Sequence, residues 1–248
     1  IPGILVLAFS ILTESQVLAF IGLGLTFWGA LFFLVSPVAY VRGSLLNTVS
    51  TPFYSTIDRI LAGFKFTGKG LYIPSYPKDA YLPEHLKGLK ETVAFISADA
   101  NLALPSVEEM ATSVFETKNP KGVIIIPPGS VLQEQFEKSM RTDLTKISLD
   151  DLCASLPQLI IENFQLAKDV SMRTENSQIH LTVINSIYKD LYQDAKLNSP
   201  RLLGCPLVSA VACAIAKVTG KPVYLQSINV SSDAQLIEAL YSLMEPAK

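Results

Sequence analysis

The sequence predicts a membrane-anchored α+β protein, in which an N-terminal transmembrane helix or helical hairpin is followed by a cytoplasmic mixed β-sheet domain covered by helices. Three observations predict this class. Residues 15–41 contain no charged side chain. Only 17% of the 248 residues are charged, whereas soluble domains carry about 25%. After residue 42, short apolar runs of strand length alternate with amphipathic stretches that have helical spacing.

The charge-free segment is long enough to cross a bilayer. We predict a span over residues 16–41, because residues 15–41 would extend roughly 40 Å as a helix and the hydrocarbon layer is about 30 Å thick. Residues 1–13 are apolar but too short to span alone, so we interpret them as the end of a first span. Small side chains that let another membrane helix approach closely recur every four residues, at Gly22, Thr26 and Ala30.

The charges that flank the predicted span indicate its orientation. Glu14 is the only charged residue before it, whereas Arg42, Arg59 and Lys65 follow it. Because Lys and Arg concentrate on the cytoplasmic side of membrane proteins, we expect the protein in the cell membrane with its C-terminal domain in the cytoplasm. The three cysteines lack the spacing of a disulfide framework, which fits free thiols in a reducing compartment.

Three regions follow from this pattern: a transmembrane region (1–41), a juxtamembrane amphipathic helix with a linker (42–70), and an α+β domain (71–248). In the juxtamembrane helix, Thr51 is predicted as the N-cap and Pro52 as the first helical residue. Apolar residues then recur at helical spacing, at Phe53, Ile57, Ile60, Leu61 and Phe64. Such a helix lies either at the bilayer surface or under the domain, and the sequence leaves both open.

The first half of the domain shows two apolar runs and three helix starts. Residues 92–97 and 122–126 predict strands, and the second run is expected to be buried on both faces because it has no polar side chain. A capping box, in which an acidic or amide residue follows a serine by three positions, predicts helix starts at Ser106, Ser130 and Ser148. Cys153 falls on the apolar side of the last of these helices, so we interpret it as core filling.

The second half of the domain begins with a predicted β-hairpin, because apolar residues alternate on both sides of the polar turn TENSQ at 174–178. His180 falls on the polar face of the second strand. Residues 223–230 predict another strand, and residues 235–243 fit both a helix and a strand.

The segment LLGCPLVSAVACAIAKVTGKP, residues 202–222, has strong local signals at both ends. Pro206 suits the first position of a helix over 206–218, with Cys205 as its N-cap and Gly204 as a hinge before it. Gly220 suits the position that follows the last helical turn. We therefore predict a small-residue helix that packs on the sheet.

The same segment also allows a functional interpretation. The positive end of a helix dipole favours a thiolate, so Cys205 is a candidate reactive or ligand-contacting thiol, together with Gly204 and Pro206. The loop that leads to Ser130 would form a second wall of such a site. Nucleophilic catalysis also needs a base, however, and the two histidines of the chain lie in no recognisable motif.

Other functional classes are not predicted. Two histidines and three scattered cysteines give no metal site, and the sequence contains no cofactor motif, since the GKG at 68–70 lacks the rest of a phosphate-binding loop. A net charge of −2 without a basic stripe excludes nucleic acid as a partner.

Four stretches in chain order, TGKGLYIPSYPK, GVIIIPPG, NSIYKDL and LLGCPLVSAVACAIAKVTGKPV, make the chain resemble a family of archaeal membrane-anchored proteins of unknown function. The resemblance covers most of residues 65–230, and the last stretch is its most specific part. It implies that residues 235–243 form the second strand of a hairpin. It implies no activity, cofactor or catalytic residue.

The function predicted from the sequence is that of a non-enzymatic, membrane-anchored scaffold or interaction subunit. Every enzyme template lacks its base, metal or phosphate loop, whereas the membrane and packing signals are strong. The expected partners are the lipid bilayer and either further copies of the chain, in a homo-oligomer, or other subunits of a membrane complex. The alternative is a small-ligand sensor or a thiol-dependent enzyme that uses Cys205.

Overall fold

In the computed structural model, which describes residues 2–34, 43–75, 91–98, 122–175 and 177–244, the chain divides into two units, residues 1–41 and 42–248. The described part of the first unit is helical. The second unit combines a β-sheet with helices, so the predicted α+β class is confirmed.

The first unit is a hairpin of two apolar helices, α1 (Pro2–Leu12) and α2 (Gln16–Leu34). The chain reverses near Glu14, whose φ of 49° lies in the left-handed region used by tight turns. The two apolar segments are therefore separate helices. The part of the predicted span beyond Leu34 lies outside the described residues.

Small residues allow α1 and α2 to pack closely. A Cβ atom on Gly22 would lie 2.8 Å from the backbone nitrogen of Leu7, and one on Gly3 would lie 2.5 Å from the backbone nitrogen of Thr26. Because real Cβ atoms do not come this close to a backbone, both positions require glycine.

One stretch of the described residues, Ser199–Thr219, is long and apolar enough to count as a candidate membrane span, and it belongs to the second unit. Of the most apolar part of this stretch, 72% is buried inside the protein, as in the core helix of a soluble protein. The apolar stretches of the hairpin, Gly3–Leu12 and Gln16–Phe32, are shorter than this criterion requires. The predicted N-terminal membrane anchor therefore has no support from length and composition alone.

The second unit is built on a seven-stranded sheet. Its strands are β1 (Gly70–Ile73), β2 (Val93–Ser97), β3 (Gly122–Ile125), β4 (Asp169–Glu175), β5 (Gln178–Ile184), β6 (Val223–Val230) and β7 (Leu236–Leu243). The strand order is β3-β2-β1-β6-β7-β5-β4. Every pair of described strands is antiparallel. The prediction of a mixed sheet, with parallel as well as antiparallel strands, is therefore wrong. Short connections, such as those between β4 and β5 and between β6 and β7, force this direction.

The strands predicted over 92–97, 122–126 and 223–230 agree with the structure, and so does β7, which the resemblance implied and which the sequence pattern alone left ambiguous. The strand β1 was not predicted. The β4–β5 hairpin is also confirmed. One expectation is wrong: β3 is not buried on both faces. It is only partly buried because it lies at the edge of the sheet, and Ile126, directly after it, is 68% exposed.

The described helices of the second unit are α3 (Gly43–Phe64), α4 (Ser130–Met140), α5 (Leu149–Gln158), α6 (Asp190–Gln193), α7 (Ser199–Leu203) and α8 (Pro206–Thr219), with a 3₁₀ turn at Leu144–Lys146 and a π-helical turn at Leu159–Asn163. The predicted helix over 206–218 is thus confirmed as α8. It contacts β1 and β6 on one side and α4 and α5 on the other. Because it is covered all round, residues 206–216 are buried without exception.

The start of α3 differs from the prediction. The helix begins at Gly43 and continues through Pro52, so Thr51 is not its N-cap. The Thr51 hydroxyl instead donates a hydrogen bond to the carbonyl of Asn47, 2.8 Å away and one turn earlier in the helix. Proline removes only one backbone donor, and the packing of α3 on the domain keeps the helix continuous. Its buried residues Tyr54 and Ile57 belong to the main hydrophobic core.

The start of α4 also differs from the prediction that Ser130 caps this helix. Its N-cap is Gly129, which has no side-chain cap, and Ser130 is the first helical residue. The predicted capping box does not form because Ser130 lies one position inside the helix, and the Gln133 side chain donates a hydrogen bond forward to Glu137, at 3.3 Å.

The start of α5 is as predicted. Ser148 is the N-cap and forms a complete capping box with Asp151. Cys153 is half-buried in this helix, with its sulfur 3.6 Å from the hydroxyl of Thr174. The third predicted cap, Ser106, lies outside the described residues.

Candidate functional site

The break between α7 and α8 places Gly204, Cys205 and Pro206 in the interior of the second unit. Gly204 has a φ of 76°, and a Cβ atom there would lie 2.6 Å from the side chain of Val208, so the position requires glycine. Cys205 is the N-cap of α8 and Pro206 is its first residue, as predicted. The hinge and the helix start therefore follow from local sequence.

Four buried tyrosines surround this break, one each from α3, β1, α6 and β7, and we call Tyr54, Tyr72, Tyr192 and Tyr241 the tyrosine cluster. Two of them donate hydrogen bonds to carbonyl groups at the break. The Tyr54 hydroxyl lies 2.8 Å from the oxygen of Gly204, and the Tyr72 hydroxyl bonds to the oxygen of Leu203. A buried polar group without a partner costs about 1–3 kcal/mol, so these bonds stabilise the break.

The other two members of the cluster bond to the first turn of α8. The backbone N–H of Cys205 donates to the hydroxyl oxygen of Tyr192, and the hydroxyl of Tyr241 donates to the carbonyl of Val208, each at 2.8 Å. Side chains from α3, near the start of the second unit in the sequence, and from β7, near its end, therefore both hold the start of α8 in place.

Burial raises the pKa of every tyrosine in the cluster well above its usual value. The neutral hydroxyl is favoured because the surrounding apolar side chains cannot solvate a phenolate. The cluster therefore acts as a set of neutral hydrogen-bonding groups near neutral pH, which suits a structural role better than acid–base chemistry.

Burial also raises the pKa of the Cys205 thiol, although the backbone N–H of Val208 and the Tyr192 hydroxyl lower it in part. The side chain is 0% exposed. Loss of hydration therefore outweighs the helix N-terminus, which would otherwise favour the thiolate. The geometry favours the structural interpretation of Cys205, and contact with a small ligand stays a prediction.

The one histidine among the described residues cannot act as a base for Cys205. His180 is exposed on the face of β5 that points away from α8, as predicted, whereas its neighbours Ile179 and Leu181 are buried in the core. The other histidine, His85, lies outside the described residues.

The loop that leads to Ser130 does lie against the start of α8. The backbone N–H of Gly129 donates a hydrogen bond to the hydroxyl of Ser209, at 3.0 Å. A Cβ atom on Gly129 would lie 2.1 Å from the backbone nitrogen of Ala210, so loop and helix are in direct backbone contact. Ser130 itself is half-buried. The two segments predicted to line a site, the loop before Ser130 and the start of α8, therefore lie together, and the loop packs directly on the helix.

On the opposite face of the sheet, an open polar groove crosses β5, β7 and β6. Its polar lining consists of His180, Thr182, Ser227, Asn229 and Glu238. A β-bulge between Leu225 and Ser227 shifts the register of β6 beside it. Within the described ranges, no three His, Cys, Asp or Glu side chains are grouped as a metal site would need.

The small residues predicted for membrane helix packing have two different environments. Gly22 and Thr26 face α1 of the same chain, and the Thr26 hydroxyl donates to the carbonyl of Gly22 at 2.7 Å. Ala30 is exposed. The first two residues therefore pack within the hairpin.

Sequence reasoning missed the tyrosine cluster and the polar groove. The hydrogen bond between Tyr54 and Gly204 joins residues 150 positions apart, and no local pattern marks such a pair. The groove depends on the order of strands in the sheet, which single-strand patterns do not encode.

A model of the family described as Domain of unknown function (DUF7982) matches residues 3–240. The match includes both the α1–α2 hairpin and the sheet of the second unit. No curated protein and no solved structure matches the chain.

Proposed function

The chain belongs to the family described as Domain of unknown function (DUF7982), and we propose that it is a membrane-anchored scaffold or interaction subunit without catalytic activity. The α1–α2 hairpin is the anchor in the cell membrane. The second unit is the part that holds other membrane subunits or further copies of the chain. One observation carries the proposal: the hairpin presents large apolar side chains to its surroundings on all sides.

Fourteen large apolar side chains of the described hairpin are exposed, by 39% at Leu31 and up to 82% at Leu12. They are Ile4, Leu5, Phe9, Ile11, Leu12, Val17, Phe20, Ile21, Leu23, Leu25, Phe27, Trp28, Leu31 and Phe32. Soluble monomers rarely expose large contiguous apolar patches, because each apolar Å² left in water costs about 25 cal/mol. Hydrocarbon removes this cost, which supports insertion of the hairpin into a bilayer.

The polar groups of the hairpin also suit an environment without water. The hydroxyls of Ser10 and Thr26 donate hydrogen bonds to the carbonyls of Leu7 and Gly22, each at 2.7 Å. These donors are therefore satisfied inside the helices, as hydrocarbon requires. The one charged residue of the described hairpin, Glu14, lies in the turn at its end.

The whole of α2 is nearly as long as the hydrocarbon layer is thick, although its apolar stretch, Gln16–Phe32, is shorter than the about 20 residues of a typical span. Its 19 residues extend about 28 Å as a helix, and the hydrocarbon layer is about 30 Å thick. The competing candidate, Ser199–Thr219, is interrupted at Gly204, where the backbone leaves the helical conformation. Its larger part, α8, is enclosed between the sheet and α4 and α5. This candidate is therefore better explained as the core helix of the domain.

Charge and open space support the remaining parts of the proposal. Arg59, Lys65 and Lys69 follow the hairpin, which favours a cytoplasmic second unit. Another membrane helix would find open space at Gly24 and Gly29, because a Cβ atom at either position would meet no other atom within 4 Å.

Membrane fractionation tests the anchor. We expect the full chain to resist alkaline carbonate extraction and to float with lipid vesicles. The double variant Leu23→Lys/Phe27→Lys should be released by carbonate, because each lysine near the bilayer centre costs about 2.5–3.5 kcal/mol. The matched control, Ile126→Lys/Val131→Lys, changes two residues of the second unit that are 68% and 66% exposed, and it should stay in the membrane fraction.

Release of the unchanged chain by carbonate would contradict the anchor. Equal release of both double variants would show that lysine affects the whole protein and not the hairpin. Protease treatment of vesicles tests the orientation: the second unit should be cleaved in inside-out vesicles, and its cleavage from the outer side would contradict the cytoplasmic location.

A further inference from the structure

The outward face of α3 is apolar near the start of the helix and becomes polar and then charged towards its end. They follow one another at spacings of three and four positions and are Leu45, Val49, Pro52, Thr56 and Arg59, all exposed. Leu45 is 58% exposed and Val49 is 78% exposed. The opposite face of α3, with Tyr54, Ile57 and Leu61, is buried in the main core of the second unit. The helix therefore packs on the domain by one face and leaves an apolar strip on the other.

The first four turns of α3 contain no charged residue, although the buried Asn47 side chain donates a hydrogen bond to the carboxylate of Asp190 in α6, at 3.0 Å. Arg42 is the only charged residue between Glu14 and Asp58, so residues 43–57 contain none. A helix face exposed to water usually carries charged side chains. In α3 such a side chain appears only at Arg59, four turns after the helix begins.

The chain length places the start of α3 near the membrane if α2 spans it. Only residues 35–42 separate the two helices, and eight residues reach at most about 29 Å when fully extended. The first residues of α3 therefore cannot lie farther than this from the bilayer surface. Arg59, the charged residue of the outward face, lies farther along the helix and is therefore farther in sequence from the link to α2.

We propose that Leu45, Val49 and Pro52 form a lipid-docking strip, which inserts into the boundary between the headgroups and the acyl chains of the bilayer. The inference rests on the proposed membrane anchor. A helix that lies in the membrane interface buries such an apolar face about 5–10 Å into the boundary between headgroups and acyl chains. Insertion removes Leu45 and Val49 from water while Arg59 stays at the level of the headgroups or above them.

A fluorescent label tests whether the strip meets lipid. In a C153S background the two remaining cysteines are 0% exposed, so a cysteine introduced as V49C is the site that takes an environment-sensitive maleimide label. V131C is the matched control, since Val131 is also a valine on a helix of the second unit and is 66% exposed. The full chain is reconstituted into phosphatidylcholine vesicles with and without bromine atoms on the upper part of the acyl chains.

We expect the label at position 49 to lose emission in brominated vesicles and to show a blue-shifted spectrum, and the label at position 131 to change in neither respect. A label at 49 that behaves like the label at 131 would overturn the docking strip. Both positions are exposed, so neither substitution is expected to disturb folding.

The single tryptophan of the chain distinguishes failure of the strip from failure of the anchor. Trp28 lies in α2 and is 56% exposed, so bromine on the acyl chains quenches it if the hairpin is inserted. Quenched Trp28 with an unquenched label at 49 overturns the strip alone. Unquenched Trp28 overturns the anchor, and the docking strip with it.

Discussion

Two opposing effects act on the thiol of Cys205. The N-terminus of a helix lowers the pKa of a cysteine, whereas burial raises it. In this protein burial is the larger effect, because the side chain is fully enclosed beside Tyr192. Burial likewise raises the pKa of Cys213, in the middle of α8. Both residues therefore act as small apolar side chains within the core.

Thiol labelling of the native protein tests this assignment. We expect a maleimide at neutral pH to modify Cys153 alone, and slowly, since this thiol is half-buried and its pKa is raised by that burial. Cys205 and Cys213 should react only after denaturation, because reagent and water cannot reach them. Mass spectrometry of the labelled peptides gives the reaction rate at each position.

The variants C153S and C205S provide the controls for this measurement. Fast labelling that persists in C153S and disappears in C205S would contradict the structural assignment. Such a result would restore the small-ligand sensor or thiol-dependent enzyme as the function to pursue.

At the scale of elements, one ion pair joins α4 to α8 inside the layer of helices. Glu137 and Lys217 lie 2.7 Å apart, with side chains that are 21% and 25% exposed. The second carboxylate oxygen of Glu137 accepts a hydrogen bond from the backbone N–H of Leu144, at 3.1 Å. One side chain thus connects two helices and the 3₁₀ turn that follows α4.

Removal of this carboxylate should therefore destabilise the packing of α4 on α8. We expect Glu137→Ala to lower the free energy of unfolding by about 1–3 kcal/mol, because it leaves Lys217 and the Leu144 amide without their partner. Glu134→Ala is the matched control: its ion pair with Lys138 is 4.0 Å long and well exposed, so the change should stay within about 0.5 kcal/mol. Urea unfolding of the detergent-solubilised chain, followed by circular dichroism, measures both. Equal effects of the two variants would contradict this role of Glu137.

For the whole molecule, buried tyrosines link stability to pH. Burial raises the pKa of Tyr188 to about 12, and it also raises the pKa of each tyrosine in the cluster well above its usual value. In an unfolded chain these hydroxyls lose their protons near pH 10. The folded state holds the protons more tightly, so its advantage is complete below about pH 10 and is lost as the pH rises through the folded pKa values.

Alkaline titration should therefore unfold the second unit. We expect the free energy of unfolding to fall above about pH 10, by roughly 1.4 kcal/mol per pH unit for each tyrosine that ionises only on unfolding. Denaturant unfolding at a series of pH values gives the slope, and tyrosinate absorbance reports ionisation. Free tyrosine amide, titrated under the same conditions, gives the absorbance change expected for a tyrosine that is fully exposed to water. Full ionisation of all tyrosines near pH 10 with unchanged circular dichroism would contradict the burial of the cluster.

The parts of the fold that sequence predicts are those fixed by neighbouring residues. Pro206 and Gly220 bound α8 correctly because their backbone preferences act locally, and Ser148 caps α5 for the same reason. Pro52 misleads because the packing of α3 on the core outweighs the single hydrogen bond that proline removes. Ser130 misleads because Gly129, which lies in backbone contact with α8, takes the N-cap position before it.

The candidate site was predictable only in its backbone. Gly204, Cys205 and Pro206 carry recognisable signals, and their place at the helix start is confirmed. Whether Cys205 faces water or the core depends on residues far away in the sequence, such as Tyr54 and Tyr241. Long-range contacts of this kind follow from strand order, which no local pattern contains.

The hydrogen bonds around α8 also set the order in which the chain can acquire its structure during synthesis. The α1–α2 hairpin needs only residues 2–34, whereas the start of α8 needs β1 on one side and Tyr241, in β7, on the other. The core of the second unit therefore cannot close until β7 has left the ribosome. An inserted hairpin would already hold the nascent chain at the membrane, so the domain would fold beside the lipid surface.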